Sequence, residues 1–386
     1  MKHNWTFKMT PTRGVLIGIV LLGLVSSYVR FFKGLGAATN LTDQFPWGLW
    51  IAFDVICGVA LAAGAFTTAA AFYIFNKKKF EPLIRPAILT GFLGYILVAM
   101  GLIFDLGKYY YIWHAIIYWQ PRSVMFEVAW CVMIYLTVLA LEFSPVVFEK
   151  FRNVKAQRII HSITIPLVCL GIILSTLHQS SLGSLFLIVP SKLHPLWWSP
   201  MLPIFFFTSA VAIGIGMVIV ETSLSTRSFG LKPETHVLAD FAKALPVVLG
   251  IYLVIKLGDL AYRGHLASIF QSSVESNMFL LEMLIGVIAP GIMACIPSLR
   301  KNSRSLFAIG ALVVLGVMIN RFNVSLVGMA GAAGQSYFPS WMEISITAML
   351  ISGGVLVYTF VAENFPIFAA HGEQSTEQAE KSGQAA

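Results

Sequence analysis

Four ionisable side chains lie in or beside strongly apolar stretches of this 386-residue chain: Asp54, Asp105, Glu127 and His178. Asp54 follows Pro46 by eight residues within an apolar run. Carboxylates and imidazole can hydrogen-bond the carbonyl groups of a quinone and exchange the protons that accompany two electrons. These residue types therefore indicate proton-coupled redox chemistry, provided that the fold brings them together.

The composition indicates that a lipid bilayer surrounds these groups. Hydrophobic residues make up 57% of the chain and charged residues 11%, less than half of the roughly 25% usual in soluble domains. Ionisable groups are costly in hydrocarbon, so those that remain usually face the protein interior and serve a function. The net charge of +8 comes from residues scattered over short loops, which does not favour nucleic-acid binding.

Ten segments are long and apolar enough to cross about 30 Å of hydrocarbon as helices. We predict spans 1 to 10 at 14–32, 47–75, 86–107, 123–147, 159–177, 200–221, 244–262, 276–298, 305–322 and 343–362. The first resembles a signal peptide but has no convincing cleavage site, so we interpret it as an uncleaved span.

The loops that follow the even-numbered spans, together with both termini, contain 18 Lys and Arg residues, against six in the other loops. The positive-inside rule therefore places both termini in the cytoplasm and the odd-numbered loops outside, which is the periplasm for a bacterial inner-membrane protein.

Spans 2–5 and spans 6–9 show four sequence features in the same order, which predicts two parallel copies of a four-helix unit. The matched residues are Pro46 and Pro195, Asp105 and Asp259, Glu127 and Glu282, and His178 and Arg321. The predicted fold is thus an all-α membrane protein of two four-helix bundles with peripheral spans 1 and 10. Its predicted parts are 1–45 (tail and span 1), 46–199 (first bundle), 200–342 (second bundle), 343–370 (span 10) and 371–386 (a disordered tail).

The helix lengths place the candidate residues near one outer depth of the first bundle. Asp54 lies about 12 Å below the outer end of span 2, Asp105 ends span 3, Glu127 begins span 4 and His178 ends span 5. We expect Asp54 and His178 to contact a quinone head group, while Asp105 and Glu127 relay protons. The terminal acids could instead be solvated, and His178 could be a capping residue. Nearby aromatic residues, which form either a slot for the ring or an interface belt, are Trp47, Trp50, Tyr109 and Trp113.

Glu142 follows Glu127 by fifteen residues on span 4, about 22 Å closer to the cytoplasm, and Tyr135 lies near the same helix face. These three residues either form part of a proton route, or Glu142 only marks the end of the helix.

The second copy holds a different arrangement of charges. Lys256 and Asp259 are spaced i,i+3 on span 7, with Glu282 at a comparable depth. This spacing favours a self-satisfied ion pair with a structural role.

No redox cofactor site is evident in the sequence. His161 and His178 lie about 25 Å apart at opposite ends of span 5, so they cannot ligate one haem together. The cysteines occupy separate apolar stretches, which does not favour an iron–sulfur cluster: Cys57, Cys131, Cys169 and Cys295. Electrons would have to come from a partner protein.

Two other classes of function fit some of these features. A secondary transporter also combines buried charges with parallel repeats. Against it, the ionisable groups cluster near one face rather than at the midplane, and no span shows an evident break by paired Gly and Pro, although Gly58 and Gly64 leave span 2 open to one. A passive membrane anchor would predict that nothing depends on Asp54.

Two motifs are specific: Phe-Pro-Trp-Gly-Leu-Trp beginning at Phe45, and His-Gln-Ser-Ser-Leu-Gly-Ser beginning at His178. They resemble the NrfD/polysulfide-reductase (PsrC-like) family of quinone-reactive membrane subunits, especially the membrane subunit of hydrogenase-2-type complexes. Supporting stretches, which extend the resemblance from span 2 to the start of span 10, are 51–54, 82–87, 123–127, 140–145, 194–197 and 337–339.

The resemblance implies a subunit without haem or iron–sulfur clusters that binds menaquinone or ubiquinone in the first bundle, near the periplasm. The motif residues that would line this site are Trp47, Trp50, Asp54, His178 and Gln179. The resemblance also implies a periplasmic ferredoxin-like iron–sulfur subunit that connects the quinone to the small and large subunits of a hydrogenase, or to another oxidoreductase. Proton translocation varies within the family.

Overall fold

The computed structural model describes residues 5–231, 234–335 and 337–368. These residues contain ten helices long and apolar enough to cross a membrane and no β-strand, which confirms the predicted all-α class. The tail that was predicted to be disordered, 371–386, lies outside the described residues. The spans run Pro11–Lys33, Trp50–Ile74, Lys78–Asp105, Val124–Lys150, Val154–Ile188, Leu202–Phe229, Thr235–Tyr262, Val274–Cys295, Ser303–Ala333 and Trp341–Asn364.

Several spans are longer than predicted, because polar residues within a helix had been taken as its end. Span 5 is the largest example: it continues from Val154 through Ser184 and one further tight turn to Ile188. At 1.5 Å per residue it is about 52 Å long, well beyond the hydrocarbon thickness. Short helices connect the spans at Leu35–Ala38, Tyr109–Tyr111, His114–Ile117, Leu266–Phe270 and Pro297–Lys301.

Spans 2 and 6 form the centre of the molecule and are its most buried helices. Small residues let their backbones approach closely, since a Cβ added at Gly214 would lie 2.8 Å from the carbonyl oxygen of Ala63. Spans 3 and 5 pack against span 2, and span 4 packs against spans 3 and 5; likewise spans 7 and 9 pack against span 6, and span 8 packs against spans 7 and 9. The predicted internal repeat and its boundaries remain a prediction.

Span 2 is irregular along its length. Trp50–Cys57 is a wide π-helical segment, and a turn at Ala62 and Ala63 separates two short α-helical pieces. The sequence had shown no evident break within this span, although Gly58 and Gly64 had left the question open. The turn at Ala62 and Ala63 lies between these two glycines. Segments of π-helix are often found at functional sites, and this one contains Asp54.

Spans 1 and 10 pack against each other and against spans 2 and 3. Ser345 of span 10 donates a hydrogen bond to Ser26 of span 1 at 2.6 Å. Arg30 of span 1 is buried and donates to the carbonyl oxygens of Phe104 and Leu106, both at 2.6 Å. Spans 1 and 10, which lie outside the predicted bundles, therefore contact the parts of spans 2 and 3 that contain Asp54 and Asp105.

Candidate functional site

Asp54 is buried, with 7% of its surface exposed, at the contact of spans 2, 3 and 10. Its Oδ2 accepts a hydrogen bond from the hydroxyl of Thr347 at 2.6 Å. Gly101 makes room for it, because a Cβ at that position would lie 2.6 Å from the Asp54 Cβ. Among the described residues, Asp54 thus has one hydrogen-bond donor from another span, Thr347.

Asp105, at the end of span 3, interacts electrostatically with Asp54 of span 2 and with Arg30 of span 1. Asp105 is half-buried, and its Oδ1 has no hydrogen-bond partner among the described residues. It therefore lies between buried Asp54 and the predicted periplasmic surface.

Two of the three tryptophans of the predicted aromatic slot contribute to packing. Trp50 is almost wholly buried, and its indole N–H donates to the backbone oxygen of Glu343 at 3.3 Å. Trp47 packs edge-on against Phe186 at 5.7 Å. Trp113 is exposed, as expected for a residue of an interface belt.

A cleft of about 470 Å³ lies between spans 2, 3, 6 and 10 and has Asp54 in its wall. Most of its lining is apolar, and residues of spans 6 and 10 at its edge are exposed: Leu224 by 49%, Ile351 by 43% and Val355 by 43%. Because helices of a membrane protein face lipid where they do not face each other, the cleft opens sideways to the bilayer.

The opposite end of this cleft is also polar. Glu221 of span 6 is buried and accepts a hydrogen bond from Tyr358 of span 10 at 2.7 Å, while Ser225 contacts the same phenol oxygen at 3.1 Å. An apolar cleft with a buried acid at each end can hold a long apolar molecule with a polar head.

The predicted depth of His178 is wrong. Span 5 continues ten residues beyond it, which is about 15 Å, and His178 is fully buried within the first bundle. Its Nε2 is hydrogen-bonded to the hydroxyl of Tyr95, and its ring packs against Tyr135. The neighbouring Gln179 donates to the carbonyl oxygen of Val59 at 2.9 Å. Val59 is five residues, about 7 Å of helix, farther inward than Asp54, so His178 and Asp54 do not share one depth.

The remaining predicted residues extend from His178 in both directions along the bundle interior. On the predicted periplasmic side, Glu127 accepts a hydrogen bond from Ser181 at 2.6 Å. On the cytoplasmic side, the rings of Tyr95 and Tyr135 are in contact at 4.8 Å. Glu142 and Tyr135 then lie on either side of a notch at Gly171, where a Cβ would be 3.6 and 3.4 Å from them. The polar groups thus form a discontinuous file through the bundle.

In the second bundle, Glu282 accepts hydrogen bonds from Trp197 at 3.0 Å, Asn320 at 3.0 Å and Asn323 at 2.6 Å. Arg321 donates to Asn320 at 2.7 Å and to Ser209 at 2.8 Å. A cavity of about 20 Å³ beside Glu282 has room for about one water molecule. The network is compact and largely self-satisfied.

The expected ion pair between Lys256 and Asp259 is wrong. Asp259 pairs with Arg263, one helical turn onward, at 2.7 Å and also accepts from Ser199 at 2.8 Å. Lys256 lies over the ring of Phe205 at 4.7 Å and interacts electrostatically with Glu282. The i,i+4 arginine donates to Asp259 Oδ2 from two nitrogens, whereas a lysine has only one.

The family model described as polysulphide reductase, NrfD, matches residues 37–331. The chain belongs to this family. It is 42% identical to a protein of Nitratidesulfovibrio vulgaris over 96% of this chain and 98% of the relative. It is 36% identical to the probable Ni/Fe-hydrogenase 2 b-type cytochrome subunit of Escherichia coli over 92% of this chain and 91% of the relative. It is 27% identical to the menaquinone reductase integral membrane subunit of N. vulgaris over 91% of this chain and 90% of the relative.

The name of the E. coli relative raises the question of a b-type haem in this NrfD-family chain. The interior histidine, His178, uses Nε2 in its hydrogen bond with Tyr95 and packs between tyrosine rings. Haem b would require this nitrogen, or that of another histidine, as a ligand on the iron. The surroundings of His178 do not fit such a ligand.

Sequence reasoning missed several residues of the site: Tyr95, Glu221, Thr347 and Tyr358. Glu221 had a detectable signal, since it is an acid within an apolar run, but it had been placed at the end of span 6. The structure extends that span to Phe229. A single Thr or Tyr in an apolar span gives no comparable signal, because either is common in packed helices.

Proposed function

We propose that this chain is the quinone-reactive membrane subunit of a respiratory oxidoreductase of the hydrogenase type. It would exchange electrons between a partner subunit and menaquinone or ubiquinone dissolved in the bilayer. Membership of the NrfD family supports this proposal, as do relatives whose names refer to a hydrogenase and a menaquinone reductase.

The observation that carries the proposal is the position of Asp54 at one end of a cleft that opens to lipid. The apolar lining suits an isoprenoid tail, and the carboxylate can hydrogen-bond the polar head group. Reduction of a quinone to a quinol takes up two electrons and two protons, and oxidation of the quinol releases them. Asp54 would exchange a proton with a quinone oxygen, and Asp105 would connect Asp54 to the predicted periplasmic side.

His178 takes a different part in this proposal from the one first expected. Because it lies deeper and faces spans 3 and 4, it would act in the interior file rather than on the head group. Protons would move between Glu127, His178, Tyr135 and Glu142 with water bridging the gaps. Buried acids, hydroxyls and imidazole are the groups from which membrane proteins build proton relays. Glu221, at the inner end of the cleft, would serve the same purpose there.

The chain would receive electrons on the predicted periplasmic face, because that is the end of the cleft at which Asp54 lies. We propose that a ferredoxin-like iron–sulfur subunit docks there and connects to the small and large subunits of a hydrogenase. Cross-linking should join it to the loops around 33–46 and 108–122. Cross-links to the basic loops at 76–79 or 151–153 would contradict both the orientation and the electron path. A dithionite-reduced spectrum of the purified chain should show no b-type α band.

The decisive experiment compares Asp54→Asn with Asp240→Asn in the intact complex. Asn keeps the shape of Asp54 but cannot exchange the proton, so quinone-linked turnover should fall by about 10²-fold or more. Asp240 lies on the predicted cytoplasmic side in surface pairs with Lys79 and Lys243, and should tolerate the same change. Electron transfer from reduced viologen to a short-chain naphthoquinone gives the rate per assembled complex. Wild-type turnover in Asp54→Asn would favour a passive anchor.

A further inference from the structure

Span 10 lies outside the part of the chain that matches the family model, residues 37–331, yet it contributes to the candidate site. Its residue Thr347 is buried and donates a hydrogen bond to Asp54. The same helix provides Leu350, Ile351 and Tyr358 to the wall of the cleft. A span outside the matched residues therefore completes the surroundings of the buried acid.

The position of Thr347 opposite Asp54 is fixed one helical turn earlier. Glu343 is fully buried and accepts hydrogen bonds from the backbone N–H groups of Asn40 at 3.0 Å and Ser340 at 2.8 Å. Its own backbone oxygen accepts from Trp50, which precedes Asp54 by one turn. Two successive turns of span 10 are thus bonded to two successive turns of span 2.

Tyr337 adds a second connection between these elements. Its hydroxyl donates to Glu343 and accepts from the backbone N–H of Leu49 at 2.9 Å, and its ring stacks on Phe45 at 5.2 Å. Burial and the contact with Glu343 raise the pKa of the Tyr337 phenol above its ordinary value, so the phenol stays protonated and able to donate. Gly48 is required beside it, since a Cβ there would lie 2.4 Å from the hydroxyl.

The hydroxyl of Thr347 is used differently from most of those on the spans. Threonines in membrane helices usually donate to a carbonyl of the preceding turn, as Thr208 does to Ile204 at 2.8 Å and Thr359 does to Leu356 at 3.0 Å. Thr347 donates across the helix contact to a carboxylate instead. Such a bond selects one orientation of the acid.

We infer that Thr347 is a positioning residue for Asp54 and that span 10 adjusts proton exchange at the quinone site through it. This inference rests on the proposed function. Thr347 holds one oxygen of the carboxylate, which leaves the other to exchange a proton with a molecule in the cleft. Removing the hydroxyl frees the carboxylate to rotate.

The test compares Thr347→Val, Thr347→Ser and Thr208→Val in the intact complex, with reduced viologen and a short-chain naphthoquinone. Valine keeps the shape of threonine without the donor, whereas serine keeps the donor. Thr208 is the matched control, because its hydroxyl donates to Ile204 within span 6 and it does not line the cleft. Thr347→Val should lower kcat about tenfold with a smaller change in KM, as expected for loss of one hydrogen bond to a charged group. Thr347→Ser should restore most of the rate, and Thr208→Val should stay within about twofold of wild type.

Asp54→Asn separates failure of this inference from failure of the proposed function. If Asp54→Asn retains wild-type turnover, the proposed function fails, whatever Thr347 does. If Asp54→Asn is inactive while Thr347→Val matches Thr208→Val in kcat and KM, the positioning role is refuted. In the Asp54→Asn background, Thr347→Val should add no further loss. Rates are referred to the amount of assembled complex, so a variant that assembles less is still informative.

Discussion

Spans 2–5 and spans 6–9 both enclose acidic side chains, but the partners of those acids differ. In the second group, Glu282 accepts from three nitrogen donors and Asp259 is paired with Arg263. In the first group, Asp54 has one hydroxyl donor from span 10, and Asp105 has a buried oxygen without a partner among the described residues. Buried charge with a full set of partners stabilises one structure, whereas buried charge with few partners remains free to exchange protons.

The spaces beside these acids also differ, in their volume. Asp54 borders a cleft of about 470 Å³ that opens to lipid, whereas the cavity beside Glu282 is about 20 Å³. The first accommodates a large apolar substrate, and the second has room for about one water molecule. We therefore expect substitutions in the first group to change turnover and those in the second to change stability.

The largest effect should come from Glu282→Ala. The change leaves three donors without an acceptor and Lys256 without its nearest carboxylate, and breaking a buried charge network typically costs about 3–5 kcal/mol. The yield and unfolding temperature of the purified chain should both fall. Glu275→Ala, on the same helix but less buried, should behave nearly as wild type. A stable Glu282→Ala protein with altered quinone kinetics would contradict a structural role for this network.

The next prediction compares the loss of one buried tyrosine hydroxyl from each group. Tyr95→Phe removes the partner of the His178 Nε2 but keeps the ring, so quinone-linked turnover should fall about tenfold if protons pass this point. Tyr252→Phe, beside the small cavity in the second group, removes an equally buried hydroxyl. Its turnover should remain within about twofold of wild type, with the loss appearing in the unfolding temperature. Equal turnover losses in both variants would mean that the two groups share the chemistry.

Hydropathy was enough to predict all ten spans, because each needs about twenty apolar residues whatever its neighbours are. The proximity of Asp54 and Asp105 also followed, since consecutive helices with short loops pack side by side. The depth of His178 did not follow. The polar run from His178 to Ser181 looked like a helix end, whereas these side chains find partners inside the bundle, in Tyr95, Val59 and Glu127.

The contribution of span 10 was beyond sequence reasoning for a different reason. Thr347 is 293 residues from Asp54, and a threonine within an apolar helix gives no indication of which way it faces. Only the packing of span 10 on spans 1, 2 and 3 selects this contact. The same is true of Glu221 and Tyr358, which meet because spans 6 and 10 approach at one end of the cleft.

A smaller effect is expected from Glu142→Gln at the inner end of the interior file. If protons leave the bundle there, turnover should fall severalfold and proton uptake by proteoliposomes should fall in proportion. Glu149→Gln, seven residues farther along span 4, is the control, because Glu149 is exposed and pairs with Arg85. Such surface pairs contribute little. Unchanged proton uptake in Glu142→Gln would assign Glu142 to the helix end rather than to a proton route.

The smallest expected effect is a pH-dependent change in unfolding temperature that involves His194, in the loop that leads into the second group. His194 accepts a hydrogen bond from the backbone N–H of Leu196 and precedes Trp197, which donates to Glu282. Burial lowers the pKa of His194 below its ordinary value. The unfolded chain therefore takes up a proton more readily, and the stability that neutral His194 provides is lost as the pH falls below about 6.5. Lowering the pH from 7.5 to 5.5 should reduce the unfolding temperature of wild type by a few degrees more than that of His194→Asn, whose amide oxygen can still accept from Leu196. Because His194 lies in the loop that leads into the second group and does not line the cleft, the ratio of quinone turnover at these two pH values should be the same in both proteins.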